Sequence, residues 1–131
     1  MRMEAEFIFF VQDQQRSRDF YAAILDQDPS LDVPGMTEFD LGPRCKLGLM
    51  PANGIAKIIT PSTPHPSVGQ GIPRCELYLL VENAIEFCHR AIEAGALEVS
   101  ELSPRDWGHK VAYFADSDGH VLAIAERLGK E

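Results

Sequence analysis

The order of secondary structure predicted for the first half of the chain recurs in the second half. An apolar run at residues 7–11 predicts a buried strand, and a break ending at Asp13 and an amphipathic helical stretch follow it. The run at 75–81, a break ending at Asn83 and a second amphipathic stretch repeat this order. Asp13 and Asn83 are 70 positions apart, so we infer an internal duplication.

Each half is predicted to contain one strand, one helix and three further strands. The predicted helices cover about 15–26 and 84–95, and the second ends at Gly95. The further strands are predicted at residues 30–33, 36–41, 45–50, 97–102, 109–115 and 121–126. A helix covers only one face of the strands it follows, so the fold class is α+β, with two βαβββ modules forming a curved mixed sheet around a cup.

Residues 51–73 are predicted to link the two modules. This segment contains five prolines and three glycines, and we expect no long regular element in it. Its one apolar patch, at 55–59, indicates that the segment packs over something, as a structural strap or as a lid over a pocket. We therefore predict a single domain over 1–131, with one module at about 5–50 and the other at about 74–127.

Composition narrows the classes of partner. The 131 residues carry 20 acidic and 12 basic side chains, giving a net charge of −8, which disfavours nucleic acid and anionic membranes. No apolar run is long enough for a transmembrane helix, and the acidic start of the chain is unlike a signal peptide, so we expect a cytoplasmic protein. Cys45, Cys75 and Cys88 are expected to be free thiols of the core.

Strand alternation predicts which side chains line the cup. If Phe7, Phe9 and Val11 pack under the first helix, their neighbours face the other way. The predicted cup residues are Glu6, Ile8, Phe10, Glu76, Tyr78 and Leu80. Glu6 and Glu76 are 70 positions apart and should occupy equivalent places. Two such carboxylates would raise each other's pKa, share a proton, or bind a cation or donor groups; alternatively both reach water at strand ends.

Other side chains near the predicted cup are also candidates. Trp107, the only tryptophan, lies before a strand, where its ring would either stack on a flat ligand or pack in the core. His109 is the best acid/base candidate among the four histidines. Three arginines beside strand starts would pair with a ligand carboxylate, with the two glutamates or with water, and these are Arg44, Arg74 and Arg105.

Two motifs resemble a known superfamily. Residues 11–25 match the pattern V-x-D-x-x-x-S-x-x-F-Y-x-x-x-L, and residues 114–120 are similar to F-x-D-P-D-G-N, with Ser117 in place of the proline. Together with Trp107-Gly108, they identify the chain as resembling the vicinal oxygen chelate superfamily. This superfamily includes glyoxalase I, bleomycin-resistance proteins and extradiol dioxygenases. The resemblance implies the glyoxalase/bleomycin resistance fold, a homodimer and, in the enzymes, a divalent metal in the cup.

The resemblance also implies where metal ligands would lie. Glu6 and Glu76 match two ligand positions of metal-binding members, and the other two positions fall on Gly48 and Ala123, which cannot coordinate. A pair of carboxylates would hold only Mg²⁺ or Mn²⁺, and weakly. We therefore expect no resident metal or other cofactor.

Three functions follow as hypotheses. The first is a metal-free small-molecule binding protein whose site contains Glu6, Ile8, Phe10, Glu76, Tyr78 and Trp107. The second is an enzyme: either a metal-free acid/base catalyst using Glu6 and Glu76, with His109 as a further candidate, or a glyoxalase-like lyase or isomerase dependent on a divalent metal. The third is a regulatory module whose cup is filled by its own side chains.

Overall fold

The computed structural model describes residues 3–129, in two compact units that divide after Gln70. The first two and last two residues of the predicted 1–131 domain lie outside the described part. The first unit contains β1 (Ala5–Val11), α1 (Gln14–Leu25), β2 (Leu31–Val33), β3 (Met36–Gly42), β4 (Cys45–Pro51), α2 (Ala52–Ile59) and a 3₁₀ turn (Pro66–Gly69). The second contains β5 (Glu76–Leu80), α3 (Ala84–Glu93), β6 (Leu97–Pro104), β7 (His109–Ala115) and β8 (Val121–Arg127).

Each unit forms one four-stranded mixed sheet with the same topology. The strand orders are β1-β4-β3-β2 and β5-β8-β7-β6, with the first strand of each unit parallel to its neighbour and the others antiparallel. The registers correspond as well, since Ile8 lies beside Gly48 and Tyr78 lies beside Ala123. The predicted α+β class and the two βαβββ modules are confirmed.

The two residues that revealed the duplication begin the two long helices. Asp13 caps α1 by accepting a hydrogen bond from the Arg16 backbone N–H at 3.0 Å. Asn83 caps α3 by accepting one from the Glu86 backbone N–H at 3.2 Å. Each bond satisfies a backbone donor that has no partner within the helix. The duplicated sequence therefore ends each first strand and starts each helix in the same way.

The helices cover one face of each sheet. In the first unit Phe9 and Val11 are buried together with Tyr21 and Ile24 of α1. Phe7, predicted to pack with them, is instead 65% exposed. The reason is that α1 packs over β3 and β4, whereas β1 is the edge strand of this sheet.

The second unit buries one sheet face in the same way. Its buried apolar side chains come from α3 and from the covered face of β5, β7 and β8, and they include Leu77, Ala84, Ala91, Phe114, Leu122 and Ile124. Cys88 of α3 joins this core, where burial raises the pKa of its thiol. The expectation of core thiols was wrong for the other two, because Cys75 is exposed and Cys45 half-buried.

The segment predicted to lack a long regular element contains a short helix. The eight residues of α2 bury Ala52 and Ala56 and pack on β1 and β4. Apolar residues recur at helical spacing between Pro51 and Pro61, a signal that the prolines and glycines obscured. His65 ties the following turn back to this helix, since its Nε2 lies 2.9 Å from Asn53 Oδ1. Most of the segment therefore belongs to the first unit.

Among residues 3–129, no helix is both long enough and apolar enough to span a membrane.

Removing either helix cap should destabilise the protein to a similar degree. We expect Asp13→Ala and Asn83→Ala each to lower the free energy of unfolding by about 1 kcal/mol, because each leaves a helix N–H without its partner. Urea denaturation measures this change. The control is Asp28→Ala, which removes an exposed loop carboxylate and should leave the unfolding free energy nearly unchanged. Losses no larger than that of the control would contradict the capping role.

Candidate functional site

The uncovered sheet face of the first unit is built around Gly48. Glu6 and Ile8 of β1 lie beside Lys46 and Gly48 of β4, and Glu38 of β3 lies opposite Gly48 on its other side. A Cβ atom at position 48 would overlap Glu6 Oε2. The missing side chain therefore gives the Glu6 carboxyl room to reach across β4 toward Glu38.

The Glu6 carboxyl is held in an environment that favours its protonated form. Burial raises its pKa above the ordinary value of 4.5, the nearby Glu38 carboxyl raises it further, and Lys46 opposes the shift. Within residues 3–129 no donor reaches the buried Oε2 of Glu6. A hydrogen bond between two carboxyl groups needs a proton on one of them, which is one reason why Glu38 raises the pKa of Glu6.

An open cleft of about 390 Å³ lies at this end of the first sheet. It is lined by four carboxylates and two cations, namely Glu4, Glu6, Glu38, Asp40, Arg44 and Lys46. The Lys46 Nζ lies 3.5 Å from Glu38 and 4.0 Å from Asp40. The cleft is acidic overall, which suits a cation or a group that donates hydrogen bonds.

The uncovered face of the second unit is built around small residues in the same register. Ala123 of β8 lies between Tyr78 of β5 and Tyr113 of β7, and both tyrosine rings pack on the cluster formed by Val111, Ala123 and Ala125. Burial raises the pKa of the Tyr113 hydroxyl, and the charge of Glu76 adds to this increase. In the duplicated register Glu76 and Tyr113 correspond to Glu6 and Glu38.

Three predicted residues form one hydrogen-bonded chain on this face. The Trp107 indole N–H donates to the Tyr78 hydroxyl at 2.9 Å, and that hydroxyl lies 2.6 Å from His109 Nδ1. Trp107 remains 52% exposed although its N–H is held. The indole is therefore fixed at one end while much of its ring stays accessible, as a stacking surface for a flat ligand requires.

Arg105 is held against the same sheet. Its guanidinium donates to Ser100 Oγ at 3.0 Å and to the Val111 carbonyl at 2.8 Å, and it lies 5.3 Å from the centre of the Tyr113 ring. Its buried Nε has no partner among residues 3–129. Arg105 thus packs on this face of the second unit, beside Tyr113.

The predicted site residues divide between the two units. Glu6, Ile8 and Phe10 lie on β1 with Ile8 38% exposed, and Glu76 and Tyr78 lie on β5. The structure brings Tyr78 together with Trp107 and His109, a contact that the sequence did not predict. The pairing of Glu6 with Glu76 concerns both units and stays a prediction.

Sequence reasoning missed the partners of the two glutamates. Lys46 lies on β4, the neighbour of β1, and Glu38 lies on β3, one strand further away. Tyr113 lies on β7, two strands from β5. Their positions relative to the two glutamates therefore depend on the register between strands. The available signal was the alternation within β3 and β7, where Glu38 and Tyr113 fall on the side opposite the buried Phe39 and Phe114.

Comparison with known proteins identifies the family. A family model described as a glyoxalase-like domain matches residues 5–129, so the chain belongs to the glyoxalase-like domain family. No curated protein sequence matches the chain significantly.

Solved structures show the same fold. A glyoxalase-related enzyme from Fulvimarina pelagi matches with a TM-score of 0.80 at 18% identity, covering 97% of this chain and 89% of that one. A glyoxalase/bleomycin resistance protein/dioxygenase family enzyme from Burkholderia phytofirmans gives a TM-score of 0.79 at 16% identity, covering 97% and 100%. A protein from Agrobacterium tumefaciens gives 0.72 at 27% identity, covering 98% and 100%.

The donor set does not fit the four-ligand metal centre that the superfamily resemblance implies. Gly48 lies on β4 and Ala123 on β8, at two of the implied ligand positions, and neither has an atom that can coordinate. Within the described residues no group of three or more histidine, cysteine, aspartate or glutamate side chains could hold a metal ion.

The raised pKa of Glu6 predicts a pH-dependent effect of Glu6→Gln. The folded state favours the protonated carboxyl, so the stabilising contribution of Glu6 is present below its ordinary pKa of 4.5 and is lost as the pH rises through the folded-state value. Glutamine stays neutral at every pH. The free energy of unfolding of the variant, relative to the wild type, should therefore increase from pH 4 to pH 7 in urea denaturation.

The control for this experiment is Glu93→Gln, which changes an exposed carboxylate on α3. Its difference from the wild type should not follow the trend of Glu6→Gln. A Glu6→Gln difference that stays constant, or that moves in favour of the wild type as the pH rises, would show that folding does not raise the pKa of the Glu6 carboxyl.

Proposed function

We propose that this protein is a glyoxalase/bleomycin resistance-like family member that binds a small molecule without a resident metal. The observation that carries the proposal concerns Gly48 and Ala123, the two implied metal-ligand positions that have no donor atoms. At both positions, neighbouring side chains fill the space. The Glu6 carboxyl occupies the space over Gly48, and Tyr78 packs on the cluster that contains Ala123. Side chains of the protein thus occupy the space at both positions.

The chemistry of the two uncovered faces supports a ligand that is partly apolar. Ile8, Phe10 and the ring of Trp107 supply apolar contact area, and Glu6 and Glu76 supply acceptors for cationic or hydroxyl groups. We propose that the working form is a homodimer, as in the superfamily that the sequence resembles.

Metal titration of thermal stability tests the proposal. We expect Mg²⁺, Mn²⁺, Ni²⁺ and Zn²⁺ to leave the Tm nearly unchanged. A metal raises the Tm only when it binds a site of the folded state at a concentration near or above its Kd. A metal at a hundred times its Kd would add about 2.7 kcal/mol, equivalent to an increase of more than about 5 °C for a domain of this size.

The double variant Glu6→Gln/Glu76→Gln is the control for that titration. A large Tm increase with one metal that disappears in the double variant would overturn the metal-free proposal in favour of a glyoxalase-like lyase or isomerase. A large increase that persists would place the metal on other residues and would overturn the proposal equally.

A second candidate function is acid/base catalysis without a metal. The observation that favours it is the raised pKa of Glu6, since a carboxyl that is protonated closer to neutral pH can exchange protons with a substrate. In this case Glu6→Gln and Glu76→Gln should each reduce kcat of any reaction that the protein supports by at least about 100-fold. A pure binding protein would show no turnover to lose and would retain its ligand affinity within about tenfold.

A further inference from the structure

The hydrogen-bond polarity of the chain of Trp107, Tyr78 and His109 depends on the tautomer of His109. An indole N–H can only donate, so the Tyr78 oxygen accepts from Trp107. The Tyr78 oxygen lies 2.6 Å from His109 Nδ1, and when neutral His109 carries its ring proton on Nε2, the Tyr78 hydroxyl donates to Nδ1. The Nε2–H tautomer is the one that gives the Tyr78 hydroxyl hydrogen an acceptor among residues 3–129.

Counting the valences of the Tyr78 oxygen shows what remains for a ligand. A phenolic oxygen has one hydrogen to donate and two lone pairs that accept. When His109 is neutral and carries its proton on Nε2, the hydrogen is used by Nδ1 and one lone pair is used by Trp107. One acceptor site remains, so Tyr78 can receive a hydrogen bond from a ligand N–H or O–H.

Protonation of His109 reverses this polarity. Both ring nitrogens of the imidazolium are donors, so Nδ1–H donates to the Tyr78 oxygen. The two lone pairs are then occupied by Trp107 and His109, and the hydroxyl hydrogen is released. Tyr78 can now donate to a ligand carbonyl or other acceptor and can no longer accept.

We propose that Tyr78 is a hydrogen-bond switch controlled by His109, at a subsite where a flat ligand stacks on Trp107. Neutral His109, with its proton on Nε2, selects flat molecules that donate a hydrogen bond, and protonated His109 selects flat molecules that accept one. The proposal rests on the proposed binding function and specifies the ligand chemistry of its second-unit face. Because the selection depends on the protonation of His109, it should change with pH.

The charged groups around His109 leave Tyr78 as its direct partner. The titratable and charged residues on the strands around it are Glu76 and Tyr78 on β5, Glu98 and Glu101 on β6, Arg105 and Asp106 before β7, Lys110 and Tyr113 on β7, and Glu126 and Arg127 on β8. Lys110 and Glu126 pair with each other at 3.8 Å, and the Arg105 guanidinium is bonded to Ser100 and Val111. Tyr78 is the one side chain hydrogen-bonded to the His109 ring among the described residues.

The tryptophan itself reports on this subsite. Because Trp107 is the only tryptophan in the chain, its indole N–H gives a single resonance in a ¹H–¹⁵N spectrum of labelled protein. The probes are unlabelled indole, which donates a hydrogen bond, and acetophenone, which accepts one. Both probes are flat and uncharged at pH 5 and at pH 8, so their own charge does not change between the two conditions.

The apparent Kd of each probe should change with pH in opposite directions. We expect indole to bind about 3- to 10-fold more tightly at pH 8 than at pH 5, and acetophenone to show the reverse, as expected for one hydrogen bond gained or lost. His109→Gln and Tyr78→Phe should each remove this opposition. The control His89→Gln, which changes an exposed histidine on α3, should retain it. The same spectra verify that each variant is folded.

Each other outcome overturns the switch. If both probes bind with the same pH dependence, or if the opposition persists in His109→Gln, His109 does not control Tyr78, although the proposed binding function still stands. If neither probe shifts the Trp107 resonance at either pH, the subsite itself is excluded. The metal titration then decides the proposed function separately.

Discussion

The lack of a side chain at Gly48 determines what the open face of the first unit can hold. A Cβ at this position would occupy the place of Glu6 Oε2, so glycine allows the carboxyl to lie over the central strand, near Glu38. The second unit meets the same geometric requirement with Ala123, on which the rings of Tyr78 and Tyr113 pack. In both units a small residue on the strand beside β1 or β5 gives space to a polar group from that edge strand.

The duplicated backbone therefore carries two different chemistries. The first unit places two carboxyls together, and the pKa of Glu6 is raised by burial and by Glu38. In the second unit Tyr113 occupies the position equivalent to Glu38. The hydrogen-bonded chain of Trp107, Tyr78 and His109 adds the Tyr78 hydroxyl, whose hydrogen bonds histidine protonation can change. Divergence of this kind, with the register kept and the side chains changed, is how one fold comes to serve different ligands.

Much of the fold was predictable because it depends on local patterns. Apolar alternation gave the strands, and the equivalent positions of Asp13 and Asn83 marked the helix starts that both residues cap. The helix α2 was missed because its short apolar repeat lies among prolines and glycines. The site was predicted only in part: alternation placed Tyr78 on the open face, but its contacts with Trp107 and His109 depend on how side chains lean across strands, which no single strand encodes.

The metal content of the purified, untagged protein shows whether the protein carries a resident metal. Elemental analysis of protein expressed in metal-rich medium and freed of loosely bound ions gives the moles of each metal per mole of chain. We expect a value far below one for every divalent metal, because Gly48 and Ala123 supply no donor atoms. A value near one for any of them would contradict a metal-free protein, since other residues would then have to complete a metal centre.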